Sequence, residues 1–183
     1  MAARGDGIEG RLPAYEFVMK EPHLLIIGYG NTLRSDDGVG PRLVEAVGTL
    51  RLPRVRTLLC QQLSPEHSGL VSLAGAVIFV DAAVDAPHTV QLRELTPGPT
   101  TQLFAHAADP RTLLAFARDV FGHAPRAWWL TIPAVNLAFG EQLSPETEAG
   151  YQEALAHIKM LADEFCHSGE SGMSLPQLAA RHS

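Results

Sequence analysis

The stretch LLIIGYGNTLRSDDGVGPRLVEAV, Leu24 to Val47, predicts a buried strand, a glycine turn and a helix in direct succession. Residues 24–27 are uninterrupted aliphatic side chains, the pattern of a strand that is covered on both faces. Gly28 and Gly30 open a turn of the kind that binds phosphates, but Leu33 stands where a dinucleotide fingerprint has its third glycine. The turn also lacks the lysine of a P-loop, so the sequence argues against a nucleotide site.

Two adjacent carboxylates, Asp36 and Asp37, precede the apolar face of a predicted helix over residues 40–50. An acid at this place commonly caps the helix by accepting backbone N–H bonds, and its charge is favourable near the helix N-terminus. One acid is enough for that role, so we expect Asp36 to be the cap, where an asparagine would serve equally well. Asp37 is then free to point to the carboxyl edge of the sheet, where open α/β sheets place their sites.

Strand-like and helix-like runs alternate on both sides of this stretch. The further predicted strands are 54–63, 76–82, 88–95 and 126–135, and the further predicted helices are 65–75, 109–122 and 144–165. This order predicts an α/β fold with a mostly parallel, twisted five-stranded sheet and helices on both faces. The link before the fourth strand is too short for a parallel crossover, so that strand is predicted to be an antiparallel edge strand.

Composition and charge limit the classes of protein to which the chain can belong. Its 183 residues predict a single α/β domain over 21–166, with flexible segments at 1–20 and 167–183. Ile8-Glu9-Gly10-Arg11 has the sequence of an engineered cleavage site, although it is equally compatible with a native segment. A net charge of −6 argues against nucleic-acid binding, and no apolar run approaches the ~20 residues needed to span a bilayer. With two cysteines and no secretory pattern, we expect a cytoplasmic protein.

Two further residues are candidate ligands at the carboxyl edge of the sheet. Asp81 ends the apolar run 76–82, where a carboxylate is costly unless it is paired, hydrogen-bonded or bound to a metal. Capping a neighbouring loop is the structural alternative for this residue. His106 lies in a loop, 96–108, that is long enough to return to this edge, although a lone loop histidine is usually a surface residue. Two carboxylates and one imidazole would suit a borderline divalent metal.

Three segments carry a resemblance to a known family. GYGNTLRSDDGVG (28–40), VIFVDA (77–82) and AHAADP (105–110) are similar to the signature segments of the hydrogenase maturation proteases. These endopeptidases trim the C-terminus of the nickel–iron hydrogenase large subunit. The resemblance covers roughly residues 23–165, and CQQLSPE (60–66) also resembles a segment of some members. It implies that Asp37, Asp81 and His106 contact nickel, although the position of Asp37 is often a glutamate in relatives.

The resemblance implies an aspartate-based endopeptidase whose nickel is presented by the substrate instead of being permanently bound. The implied partner is the nickel-loaded large-subunit precursor, and we expect the enzyme to be a monomer. The sequence shows no Ser/His/Asp set for a covalent nucleophile. Nickel could polarise the scissile carbonyl, or it could only position the substrate while an aspartate activates water. The alternatives are a non-enzymatic module that binds a nucleotide or acidic ligand, and a metal-dependent hydrolase of small amides or esters.

Overall fold

A computed structural model describes residues 23–84, 88–99 and 109–167 of the chain. The elements alternate in the predicted order. The strands are β1 (Leu24–Tyr29), β2 (Val55–Cys60), β3 (Ala76–Ala83), β4 (Gln91–Leu95) and β5 (Arg126–Pro133). The helices are α1 (Val39–Thr49), α2 (Ser68–Ser72), α3 (Pro110–Phe121) and α4 (Pro145–His167), with 3₁₀ turns at Ser35–Gly38 and Pro65–His67.

The sheet confirms the predicted topology. Its strand order is β2-β1-β3-β5-β4, in which β1 pairs in parallel with β2 and β3, and β3 pairs in parallel with β5. β4 pairs antiparallel with β5 and forms one edge, because the short link after β3 leaves no length for a crossover helix. The carboxyl ends of β1, β2, β3 and β5 therefore meet at one edge of the sheet.

Helices cover both faces of the sheet, as predicted. Alternate residues of β1 point to opposite sides, with Leu24 and Ile26 in one core cluster and Leu25 and Ile27 in the other. The first cluster includes buried side chains of α1 and α4, and the second includes buried side chains of α2 and α3. A strand buried on both faces explains why β1 reads as a continuous aliphatic run.

Helix α1 packs unusually close to the sheet because its contact is made by glycines. A Cβ atom at Gly28 would lie 2.3 Å from the carbonyl oxygen of Gly40, and one at Gly40 would lie 2.6 Å from that of Val80. Both distances are shorter than any tolerable contact, so only glycine fits at either position. The close approach places the start of α1, with the acidic pair just before it, directly against β1 and β3.

No helix among the described residues has both the length and the apolar character needed to cross a membrane. The predicted flexible segment 1–20 lies outside the described residues, as does the predicted tail beyond His167.

Candidate active site

Gly30 turns the chain sharply at the carboxyl end of β1. Its φ of +136° is a conformation that L side chains rarely adopt, and a Cβ atom there would lie 2.0 Å from the Asp37 carbonyl oxygen. The Gly30 N–H donates to the carbonyl oxygen of Gln61, just after β2, at 3.1 Å. The turn thus folds back on itself and brings Asp37 to the edge of the sheet.

Asp36 does not cap α1, and that prediction was wrong. The 3₁₀ turn before α1 puts Gly38 at the N-cap, and no side chain bonds to the helix there. Asp36 is fully buried and points instead into the loop between β5 and α4. Its Oδ2 accepts hydrogen bonds from the N–H groups of Val135 (2.9 Å) and Asn136 (2.7 Å) and from Ser144 Oγ (2.9 Å). Its Oδ1 accepts from the Ser144 N–H at 2.7 Å.

These four donors decide the charge state of Asp36. Burial by itself would raise the pKa of the carboxyl, but the bonds from the backbone of Ser144, Val135 and Asn136 outweigh it and lower the pKa below its ordinary value. We call Asp36 and its three bonding partners the Asp36 cluster. Because Ser144 immediately precedes α4, the cluster connects the start of this last helix to the loop between β1 and α1, which we call the acidic loop.

Backbone bonds extend this connection between the two loops. The N–H of Asp36 donates to the Asn136 carbonyl at 3.0 Å, and that of Ser35 donates to the Gly140 carbonyl at 2.8 Å. The Gly140 N–H donates in turn to the carbonyl of Leu33 at 3.0 Å. The residue next to Asp37 is therefore held through both its side chain and its backbone, which restricts the chain on which Asp37 lies.

Asp37 lies at the carboxyl edge, as predicted, and is half-buried. Its Oδ2 accepts a hydrogen bond from the Asn31 N–H at 3.0 Å. That amide belongs to the glycine turn, and its N–H is already used by the carboxylate, which disfavours binding of a phosphate oxygen there. No donor to Oδ1 is found among the described residues, which leaves one oxygen of Asp37 for a ligand.

Asp81 lies near the carboxyl end of β3, and the structure brings it close to Asp37. Burial raises the pKa of Asp81 to about 6, and the negative charge of Asp37 adds to the increase. The Tyr29 hydroxyl and the Ala82 N–H act in the opposite direction. Neither Asp37 nor Asp81 forms a salt bridge with a described residue, so two carboxylates repel each other without a neutralising cation.

Tyr29 is a member of the site that sequence reasoning missed. Its side chain is buried at the end of β1, and burial and the charge of Asp81 both raise the pKa of its hydroxyl, which stays protonated. The hydroxyl interacts with Asp81, although no described residue bonds it with regular hydrogen-bond geometry. A tyrosine between two glycines at the end of an apolar strand was the available signal, because it puts a polar group at the carboxyl edge.

His106 lies outside the described residues, so its predicted place at the site stays a prediction. The chain on either side of it is described. The Gly98 N–H donates to the Arg111 carbonyl at 2.9 Å, and the side chain of Asp109 accepts from the Arg111 N–H at 2.8 Å. The charge of Asp109 also acts on Tyr29, which places the start of α3 near the carboxyl edge. Within the described ranges, no group of three His, Cys, Asp or Glu residues could hold a metal ion.

Comparison with known proteins supports the fold. No protein-family model matches the chain, and no curated protein matches its sequence. Among solved structures, the hydrogenase maturating endopeptidase HybD from E. coli is 24% identical over 80% of this chain and 94% of its own, with a TM-score of 0.60. The [NiFe] hydrogenase maturation protease HycI from Thermococcus kodakarensis KOD1 is 18% identical over 79% and 94% of the two chains, with a TM-score of 0.62. A hydrogenase 2 maturation peptidase from Thaumarchaeota archaeon SCGC_AB-539-E09 is 23% identical over 75% and 96%, with a TM-score of 0.55. The chain has the fold of these proteins.

Proposed function

We propose that this chain is a hydrogenase maturation endopeptidase. In this proposal it removes a C-terminal peptide from the nickel-loaded large-subunit precursor of a nickel–iron hydrogenase. Three solved structures that share its fold bear the names of hydrogenase maturation proteases, and the alignments cover nearly all of each of them. The proposed enzyme acts as a monomer in the cytoplasm.

The observation that carries the proposal is the pair of carboxylates Asp37 and Asp81, neither of which forms a salt bridge with a described residue. Burial, and to a smaller extent the charge of Asp37, raise the pKa of Asp81 to about 6, so two ionised carboxylates at this place are unfavourable. A divalent cation between them would remove the repulsion, and carboxylate oxygens are acceptable ligands for it. The two acids therefore fit a site that is completed by a metal ion arriving from outside.

We propose that the cation is nickel held by cysteine thiolates of the precursor. Two carboxylates are too few for a resident site, and His106 is the third ligand expected from the family resemblance. Thiolates are strong ligands for nickel, so the substrate can deliver the ion with most of its coordination sphere already in place. Contact with nickel would then report that metal insertion is complete.

The peptide bond is hydrolysed by water in this proposal, without a covalent enzyme intermediate. Asp37 and Asp81 are the described groups that can accept a proton from the attacking water, because both lie where the nickel would be held. Asp36 takes no part in proton transfer, since its oxygens are used by the four donors of the Asp36 cluster.

Cleavage of the precursor in two forms tests the proposal. The enzyme is mixed with nickel-loaded precursor and with nickel-free precursor, and the mass of the large subunit is followed. We expect loss of the C-terminal peptide from the loaded form alone. Failure to cut the loaded form would refute the endopeptidase, and equal cutting of both forms would refute nickel as the recognition signal.

Calorimetry on the enzyme alone addresses which protein holds the nickel. We expect weak binding of free Ni²⁺, because the enzyme contributes few ligands without the thiolates of the precursor. Tight binding in the absence of precursor would mean that the nickel is a resident cofactor.

A further inference from the structure

A cavity of about 350 Å³ opens beside the acidic pair, between the loop that follows β1 and the end of β2. Its described lining residues are uncharged, and they include Gly30, Asn31, Leu33, Pro41, Leu59 and Gln61. With no charged side chain among the described residues of its walls, the cavity is unsuited to a phosphate or another ion. Its volume lies at the lower end of the range of small-molecule sites.

The cavity shares a wall with Asp37. The Asn31 N–H, on the cavity wall, donates to Asp37 Oδ2 at 3.0 Å. The Cα hydrogen of Gly30 faces the same carboxylate, since a Cβ atom there would lie 3.7 Å from Asp37 Oδ1. A group bound in the cavity would therefore be separated only by Asn31 from the Asp37 carboxylate, which we place at the cleaved bond.

The walls are apolar where they are open to solvent. Leu33 and Leu59 are 52% and 45% exposed, although both are large aliphatic side chains. Covering them would be favourable, because apolar surface would leave water. Asn31 and Gln61 add side-chain amides, which can pair with the N–H and C=O groups of a peptide. β2 also forms the edge of the sheet, so an extended chain can approach the cavity from that side.

We propose that this cavity is a subsite that holds an uncharged, apolar side chain of the substrate peptide, close to the cleaved bond. The inference rests on the proposed endopeptidase function, since it needs a peptide that runs past Asp37. It assigns sequence specificity to Leu33 and Leu59, in addition to recognition of the metal.

Steady-state cleavage of nickel-loaded precursor by three variants is the first test. Leu59→Ala removes part of the wall, Leu59→Trp fills the cavity, and Leu50→Ala is the control. Leu50 has a similar exposure of 42% but follows the C-terminal end of α1, away from the carboxyl edge. We expect KM to rise roughly tenfold for Leu59→Ala and more for Leu59→Trp, with kcat little changed. Leu50→Ala should match the wild type, and wild-type KM in both Leu59 variants would overturn the subsite.

A binding experiment separates the subsite from the proposed function, because it needs neither nickel nor cleavage. Isotope-labelled enzyme is titrated with a blocked Ala-Leu-Ala tripeptide and, separately, with blocked Ala-Asp-Ala, while backbone amide shifts are recorded. The leucine peptide should shift Asn31, Leu33 and Gln61 saturably, and the aspartate peptide should not. Leu59→Trp should abolish these shifts while the rest of the spectrum stays folded. Equal responses to both peptides, or none at these amides, would refute the subsite even if the precursor is cut.

Discussion

Two carboxylates at the same edge of the sheet, Asp36 and Asp81, have pKa values that are shifted in opposite directions. Asp36 is completely buried, yet its pKa is lowered, because the four donors of the Asp36 cluster satisfy both of its oxygens. Asp81 has fewer donors, and burial and the nearby charge of Asp37 raise its pKa to about 6. The difference shows that burial alone does not decide the state of an acid: the number of donors that face it does.

This difference separates a structural acid from one that is available to a ligand. Asp36 accepts four hydrogen bonds, three at Oδ2 and one at Oδ1, and removing it would leave buried N–H groups unpaired. A carboxylate with few donors and a like charge beside it costs stability until a cation binds. The predictions that follow test this division, beginning with the largest expected effect.

Asp36→Asn should strongly destabilise the protein. An amide has one acceptor oxygen where the carboxylate has two, and its NH₂ group would face donors, so we expect a loss of roughly 2–4 kcal/mol. For a domain of this size, that corresponds to a fall in melting temperature of about 5–15 °C. Chemical denaturation gives the free energy of unfolding directly. Glu94→Gln is the control, since its ion pair with Arg126 is exposed and should contribute less than about 1 kcal/mol. Equal stability of the two variants would contradict a structural role for Asp36.

Asp37→Asn should act in the opposite way, with a large effect on activity and almost none on stability. The amide oxygen of the asparagine can still accept the part-buried hydrogen bond from the Asn31 N–H, while the charge that we propose faces nickel is lost. We expect processing of loaded precursor to fall by at least about a hundredfold, with the melting temperature within about 2 °C of wild type. Asp37→Glu is the conservative control and should keep activity, because it keeps the carboxylate charge. A variant that unfolds early would show that Asp37 belongs with Asp36 as a structural acid.

Asp81→Asn should stabilise the metal-free protein at neutral pH. The carboxyl has a folded-state pKa of about 6, above its ordinary value of 3.8, so its ionisation above that pH costs folding free energy. Removing the charge should return about 1–2 kcal/mol, or a few degrees in melting temperature. A loss of several degrees would instead identify Asp81 as an internal hydrogen-bond acceptor.

The pH dependence of the stability gained by Asp81→Asn tests separately whether ionisation of Asp81 is its cause. Between about pH 4 and pH 6 the folded protein binds the Asp81 proton more tightly than the unfolded chain does, so stability falls as pH rises through this window. The advantage of Asp81→Asn should therefore be full above pH 6.5 and disappear near pH 4. Melting curves of both proteins across this range measure it, and a constant difference would rule out ionisation as the cause.

Ser144→Ala should have the smallest effect. It removes the hydroxyl donor to Asp36 Oδ2 but keeps the backbone N–H that donates to Oδ1. The same hydroxyl accepts from the Thr147 N–H in the first turn of α4, at 3.3 Å. We expect a loss of about 1 kcal/mol by chemical denaturation. A loss as large as that of Asp36→Asn would mean that the hydroxyl, and not the charge, stabilises the Asp36 cluster.

The fold was predictable because its determinants are local. Aliphatic runs fixed the strands, and the short link after β3 fixed the direction of β4. The helix predicted at 109–122 is α3, which begins at Pro110 with Asp109 as its cap and is followed by Gly122 in a left-handed conformation. Local rules also predicted that Asp37 and Asp81 would approach each other, because the carboxyl ends of neighbouring parallel strands share an edge.

The role of Asp36 was not predictable in this way. Its donors, Val135, Asn136 and Ser144, are 99–108 residues away in the sequence. The residues next to Asp36 therefore give no indication of these hydrogen bonds. The local sequence predicted that Asp36 caps the helix, but Asp36 instead accepts hydrogen bonds from residues distant in the sequence. Tyr29 was missed although its place at the end of an apolar strand was a signal, because its effect on Asp81 is exerted between two neighbouring strands.

The Asp36 cluster also has a consequence for synthesis of the chain. Its donors come from the β5–α4 loop, so a nascent chain that has not yet reached residue 144 cannot close the bonds that hold the acidic loop. Contacts over such a separation form late, because the entropy of closing a long loop must be offset first. Nearly the whole domain must therefore leave the ribosome before Asp37 is held in place, so the proposed active site cannot be complete until residue 144 has joined the fold.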